Sequence, residues 1–167
     1  MADMIRIQQE DFDVAAEYAA LRGNTSTGAV TMMVGCVRDS GDLAEVHGLH
    51  LEHYSGMTEK ALASIVAEAR GRWPLLAVRI VHRVGELAPG AQIVFVGVGS
   101  AHRAAAFAAC EFLIDWLKTR APFWKRETDA AGVSRWVEQK AADGERALRW
   151  QRSGENHELS VRQRTEK

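Results

Sequence analysis

The sequence predicts one mixed domain of short strands and amphipathic helices, with part of its sheet antiparallel. Three observations point there. Gln92–Gly99 is a nearly unbroken apolar run, the pattern of a strand buried on both faces. Residues 57–72 and 100–118 carry apolar side chains at helical spacing. Phe123–Thr128 and Val133–Glu138 flank Asp129-Ala130-Ala131-Gly132, a hairpin signature. A chain of 167 residues suits one domain with its own core.

Met4–Gln8 reads as a short strand. Asp11 or Asp13 caps a helix that runs to Leu21, with Val14, Tyr18 and Leu21 on one face, and Arg22-Gly23-Asn24 stops it. Gly28–Arg38 alternates as a strand, with Val30, Met32, Val34 and Cys36 on one side. After the polar loop Arg38–Asp42, Val46–Tyr54 forms a second strand, and the two read as an antiparallel pair. The helix Met57–Arg72 carries Ala61, Ile65, Glu68 and Arg72 at helical spacing, Leu62, Val66 and Ala69 widen its apolar stripe, and it closes before Pro74. Ala77–Val84 is a strand, Pro89-Gly90 a tight turn, and Ser100 a candidate cap for the helix that follows. Pro122 ends that helix, and a last helix covers 141–150. From Gln151 the chain has two aliphatic residues and no aromatic one, so 151–167 reads as a disordered tail beside a body of 1–150.

Composition narrows the function. Lys and Arg number 21 against 22 Asp and Glu, and the tail carries four cations and three anions, leaving the body at −2. A bulk nucleic-acid or anionic-membrane binder is usually basic overall, so any positive site is local. Two cysteines, Cys36 and Cys110, without a CxxC pair exclude a disulfide framework and a structural zinc site. The N-terminal residues lack a basic n-region followed by an apolar stretch, and no run approaches a membrane span. The expectation is a soluble, cytoplasmic protein. His47, His50 and His53 recur every third residue in a strand, which spreads them over about 20 Å on alternate faces, too far for one ion.

Two segments carry chemistry. Gly97-Val98-Gly99-Ser100-Ala101-His102-Arg103 follows a strand and opens a helix, where free N–H groups favour an anion. It matches neither a dinucleotide fingerprint nor a Walker loop. An arginine in a first helical turn suggests a bound anion; a solvated arginine is the plain alternative. Lys118-Thr-Arg-Ala-Pro-Phe-Trp-Lys-Arg-Glu127 places four cations within nine residues. In its strand, Phe123, Lys125 and Glu127 share one face and Trp124 and Arg126 the other. Two lysines brought together would repel, favouring a neutral amine fit for acid–base or nucleophilic work. A solvated basic surface and an RNA-binding patch are the other readings.

Gly35-Cys-Val-Arg38, Leu51-Glu-His-Tyr-Ser-Gly-Met57, His82-Arg-Val-Gly-Glu-Leu-Ala-Pro-Gly90, Ser100-Ala-His-Arg103 and the Lys118–Glu127 segment occur in one order over residues 5–150. Together they resemble the catalytic, large subunit of molybdopterin synthase. The resemblance implies an α+β fold with an α/β-hammerhead-type element, an antiparallel sheet and flanking helices. It implies a sulfurtransferase of molybdenum cofactor biosynthesis that converts cyclic pyranopterin monophosphate (precursor Z) to molybdopterin. The two sulfurs come from the thiocarboxylated C-terminal glycine of a small ubiquitin-like subunit. The large subunits form a homodimer within a heterotetramer. By motif, Lys118 and Lys125 are catalytic, and the substrate meets Cys36, Val37, Arg38, His102, Arg103, Lys118, Lys125, Arg126 and Glu127. Lys140 stands where the family pattern carries an arginine. No metal, cofactor, nucleic acid or membrane is implied. A non-catalytic module that captures an extended C-terminal tail in a basic groove is the alternative.

Overall fold

The computed structural model describes residues 3–23, 25–40, 45–138 and 140–151. In chain order they form β1 (Met4–Gln8), α1 (Val14–Arg22), β2 (Ala29–Cys36), β3 (Gly48–His53), α2 (Met57–Arg72), β4 (Leu75–Arg83), β5 (Gly85–Leu87), β6 (Gln92–Ser100), α3 (Arg103–Arg120), β7 (Phe123–Thr128) and β8 (Ser134–Val137). A helix over 141–151, α4, follows. Two four-stranded sheets result, in the orders β1-β4-β6-β2 and β5-β3-β7-β8. Of the strand pairs among the described residues, only β1 and β4 run parallel. The architecture is α+β.

The apolar run of β6 sits between β4 and β2, and its two faces explain why it has no polar side. Val94, Val96 and Val98 face a cluster built from Leu62, Ile65 and Val66 of α2 and Phe112, Leu113 and Trp116 of α3. Phe95 faces Phe12 and Leu21, on the α1 side. Gly97 is there for close approach: a Cβ would stand 2.3 Å from Leu21 Cδ1 and 2.7 Å from Phe95 Cε1, so a side chain there would force these core residues to shift.

Asp13 is the cap of α1, its carboxylate accepting the N–H groups of Ala15 and Ala16. The buried face of this helix differs from the expected one. Tyr18 is exposed, and Glu17 is buried instead, held by Arg79 Nε at 2.5 Å and by Arg6. Two guanidinium groups make an otherwise costly burial acceptable. The expected pairing of the second and third strands does not form either. β2 pairs with β6, and β3 pairs with β5 and β7, in the other sheet. The central apolar strand offers β2 a ladder on a fully buried strand, whereas β3 shares an apolar face, Leu49 and Leu51, with Leu87 and Val37.

Sheet two is fastened beside the end of α3 by two contacts. His82 of β4 is buried and stacks on Phe123 of β7, with centroids 3.7 Å apart and planes at 15°. Thr58 Oγ1 accepts the Tyr54 N–H and donates to Pro122 O, both at 3.1 Å. The hairpin β7–β8 turns at Gly132, φ 78°, while Asp129 Oδ1 accepts the N–H groups of Ala131 and Val133. α4 docks through Ala147 and Trp150, and the buried Asp115 accepts from Arg149 Nη2 and Trp150 Nε1 at 2.8 Å each. α4 runs to 151, and the stretch 152–167 assigned to the tail lies outside the described residues.

Candidate active site

The segment after β2 is clamped against the β5–β6 turn: the Val37 N–H donates to Ala91 O at 2.9 Å, and Val37 O accepts the Gly90 N–H at 2.8 Å. That clamp sets Arg38 beside a cleft that β7 also lines. Cys36, Val37, Arg38, Lys125 and Glu127 line this cleft over an apolar floor that includes Leu49 and Ile93. Lys125 lies opposite Leu51 and Glu127 opposite Leu49 in the β3–β7 register, so the two share the inward face, as alternation predicts. Glu127 is only 2% exposed, and its Oε1 is 2.7 Å from Lys125 Nζ. A carboxylate so buried requires a cationic partner.

His102 and Arg103 stand elsewhere. His102, not Ser100, is the N-cap of α3, with extended backbone and no side-chain cap bond. Ser100 ends β6; its hydroxyl donates to Pro74 O at 2.9 Å and accepts the His102 N–H at 3.4 Å. The first turn of α3 has no acidic residue, so its N–H groups and dipole are left facing a second cleft lined by Gly28, Ala101, His102, Arg103 and Ala104.

Lys118 is at the far end of the same helix. Fifteen residues separate it from Arg103, about 22 Å along an α-helix. Lys118 is half exposed, its Nζ 3.8 Å from Asp143 Oδ1 of α4. It lines neither cleft. Each amine faces a carboxylate, Lys118 toward Asp143 and Lys125 toward Glu127. Arg126 projects from the outer face of β7, 5.5 Å from the Trp136 ring and 3.6 Å from Glu86. Lys140 is exposed, and its carbonyl accepts the Asp143 N–H.

Of the two thiols, Cys110 is inert: burial, and then the nearby Glu111, push it up to about 12. Cys36 is exposed at the first cleft. Of the histidines, His50 is 2.7 Å from Glu86 and 3.1 Å from Glu52, and His53 is 3.8 Å from Glu59. The contributions of Asp143, Thr58 and Asp115 come from residues far apart in sequence and carry no local signal. His82 was legible as a strand residue, but its stack on Phe123 was not.

The α+β fold carries two clefts lined by cationic side chains, one of them with a lysine beside a buried carboxylate, an arrangement of the enzyme-subunit class. The family model described as MoaE protein matches residues 7–120. The molybdopterin synthase catalytic subunit of Pseudomonas aeruginosa is 57% identical over 148 residues, 88% of this chain and 98% of its own length. That of Escherichia coli is 53% identical over 146 residues, covering 87% and 97%. Among solved structures, the MoaE protein of Burkholderia ambifaria superposes with a TM-score of 0.76 at 53% identity, covering 89% of this chain and 98% of its own. Molybdopterin synthase of Staphylococcus aureus gives 0.73 at 34% identity, covering 79% and 95%. The chain belongs to the MoaE family, the catalytic subunits of molybdopterin synthase. No helix among the described residues is long and apolar enough to cross a membrane.

Proposed function

We propose that this chain is the sulfur-transferring subunit that converts cyclic pyranopterin monophosphate to molybdopterin in the cytoplasm, with residues 1–150 as its catalytic domain. A small ubiquitin-like partner supplies each sulfur as a C-terminal thiocarboxylate. The observation that carries this reading is the first cleft, which Arg38 and Lys125 line together with the buried Glu127. Arg38, with the backbone of Cys36 and Val37, receives the anionic end of the substrate. Lys125, held in place by Glu127, and Lys118 at the end of α3 position the thiocarboxylate and stabilise charge on the acyl-thioester intermediate. Arg126 and Glu127 frame the site. Incubation with thiocarboxylated small subunit and the cyclic pterin phosphate should give the dithiolene product; a bound partner without turnover would favour the tail-capture module.

The same reading gives His102 and Arg103 to the substrate phosphate. At about 22 Å from Lys118 along α3, they serve one small substrate only if a second copy supplies them. Each active site is then shared between two protomers of the homodimer. Arg103→Ala mixed and re-equilibrated with Lys125→Ala should recover about a quarter of wild-type activity, because half the dimers are mixed and each has one intact site. Sites wholly within one chain would give no recovery. Arg103→Ala alone should weaken substrate binding by about 10–150-fold, the loss of one charge-assisted contact, with partner binding unchanged. Equal weakening of both ligands would remove the phosphate role.

Because the partner brings the sulfur, Cys36→Ser should retain most activity although the thiol lines the cleft. Loss of turnover in the folded variant would make Cys36 a sulfur carrier and overturn the donor assignment.

A further inference from the structure

We propose that Thr58, on α2, is a positioning residue for the reaction: its hydroxyl fixes the corner between α3 and β7 and so sets Lys118 and Lys125 at their working separation. The proposal rests on the reading of these two lysines given above and adds what holds them relative to each other.

The two lysines belong to different elements. Lys118 lies in the last turn of α3 and Lys125 on β7, with residues 119–124 between them. Any change in the path of this corner moves one amine against the other. The corner has little to hold itself with. Pro122 has no N–H to donate, and the last carbonyls of a helix have no partner within it. It is held from outside instead. Arg120 reaches Glu68 of α2 at 2.8 Å, but these side chains are 39% and 33% exposed, and a solvated pair holds a backbone loosely. Phe123 stacks on His82, a contact with the ring rather than the backbone. Thr58 bonds to the backbone of the corner itself: its Oγ1 donates to Pro122 O at 3.1 Å.

Thr58 makes this bond from a rigid place. It is fully buried. Its Oγ1 also accepts the Tyr54 N–H at 3.1 Å, and its own N–H donates to Tyr54 O at 2.9 Å, a reciprocal clasp between the end of β3 and the start of α2. Gly56 turns the chain between them with φ 81°, and its N–H donates to Glu59 Oε2 at 2.7 Å. A hydroxyl has one proton, so donating to Pro122 while accepting from Tyr54 fixes its direction. β3 is also the ladder neighbour of β7, with Leu51 opposite Lys125 and His53 opposite Phe123. One buried oxygen therefore ties the corner to the strand beside Lys125. Burying a hydroxyl costs free energy unless its hydrogen bonds are made, and valine would fill nearly the same volume without that cost. What threonine adds is the grip on a carbonyl 64 positions away.

Three variants of the full chain test this, assayed below their melting temperatures with thiocarboxylated small subunit and the cyclic pterin phosphate. Thr58→Val removes the hydroxyl at nearly constant shape. Its maximal rate of dithiolene formation should fall about 10–100-fold, the scale of a misplacement near 1 Å, with the half-saturating concentrations of both ligands unchanged. Thr58→Ser keeps the hydroxyl and loses a methyl; it should melt lower than the parent yet keep its rate. Thr58→Ala loses both groups and should be as slow as the valine variant. Serine and alanine differ by the one oxygen, so this pair decides the matter if the valine variant fails to fold. A rate that follows melting temperature across the variants, or a hydroxyl-free variant as fast as the parent, makes Thr58 a packing residue and overturns the proposal. Lys118→Ala and Lys125→Ala are measured beside them. Slow lysine variants with a fast Thr58→Val sink the positioning role alone, whereas lysine variants as fast as the parent sink the reading on which it rests.

Discussion

Lys118→Ala should reduce dithiolene formation by at least about a hundredfold, the scale expected for a group that acts on charge developing in the transition state. The fold should be unaffected. Lys118 is half exposed in the last turn of α3, where a cation is worth about 0.3–1 kcal/mol to the helix. Affinity for the small subunit should change little, because a stable interface spreads over many residues. Asp143 makes the variants informative. Its carboxylate, 3.8 Å from the amine, holds the lysine toward α4, and α4 is itself pinned by Asp115 to Arg149 and Trp150. Lys118→Arg keeps the charge and the pairing with Asp143 but replaces a compact ammonium by a planar fork. Recovery of most activity in the arginine variant would assign Lys118 a purely electrostatic part. An alanine variant nearly as active as the parent would remove Lys118 from the reaction and leave tail capture as the better account of this basic segment.

What the sequence made legible was the local part of this architecture. The unbroken run of β6 marked the central strand, the 123–138 hairpin was placed by its turn, and strand alternation put Lys125 and Glu127 on one face. The helical spacing of residues 100–118 by itself sets Arg103 and Lys118 about 22 Å apart. Pairing choices between distant strands were not legible. β2 and β3 are neighbours in sequence, yet each finds a better ladder in the other half of the chain, with β6 and with β7. Buried polar groups failed for the same reason. Glu17 looks like a surface residue until Arg6 and Arg79, 11 positions before and 62 after it, close on it. Thr58 reaches Pro122 across 64 residues. Periodicity reports which face is buried, while the partner that makes a charge tolerable there comes from the tertiary fold.

Acidification should destabilise the protein well above the range in which carboxylates titrate, and His82 is the reason. Burial holds its imidazole at about 4, against an ordinary 6.5; the hydrogen-bonded Arg83 carbonyl opposes the shift, and the nearby His53 adds to it. A histidine lowered in the folded state is protonated first in the unfolded chain, so unfolding takes up a proton between these two values. The contribution to stability is complete above about pH 6.5, falls as the pH drops toward 4, and is gone below. The full span is worth about 3 kcal/mol, or about 6–12 °C in Tm for a chain of this size. Asp11, lowered chiefly by its hydrogen bond from Gln92, acts in a separate window, below the ordinary carboxylate value of 3.8. The consequence reaches the site. His82 stacks on Phe123, two residues before Lys125, so a protonated and rehydrated imidazole would loosen the strand that carries the lysine. His82→Phe keeps an aromatic face against Phe123 and cannot titrate. Its melting temperature should fall much less between pH 7 and 4.5 than that of the parent. Parallel curves for the two proteins over that range would show that other groups set the acid limit, and that His82 is only a packing residue.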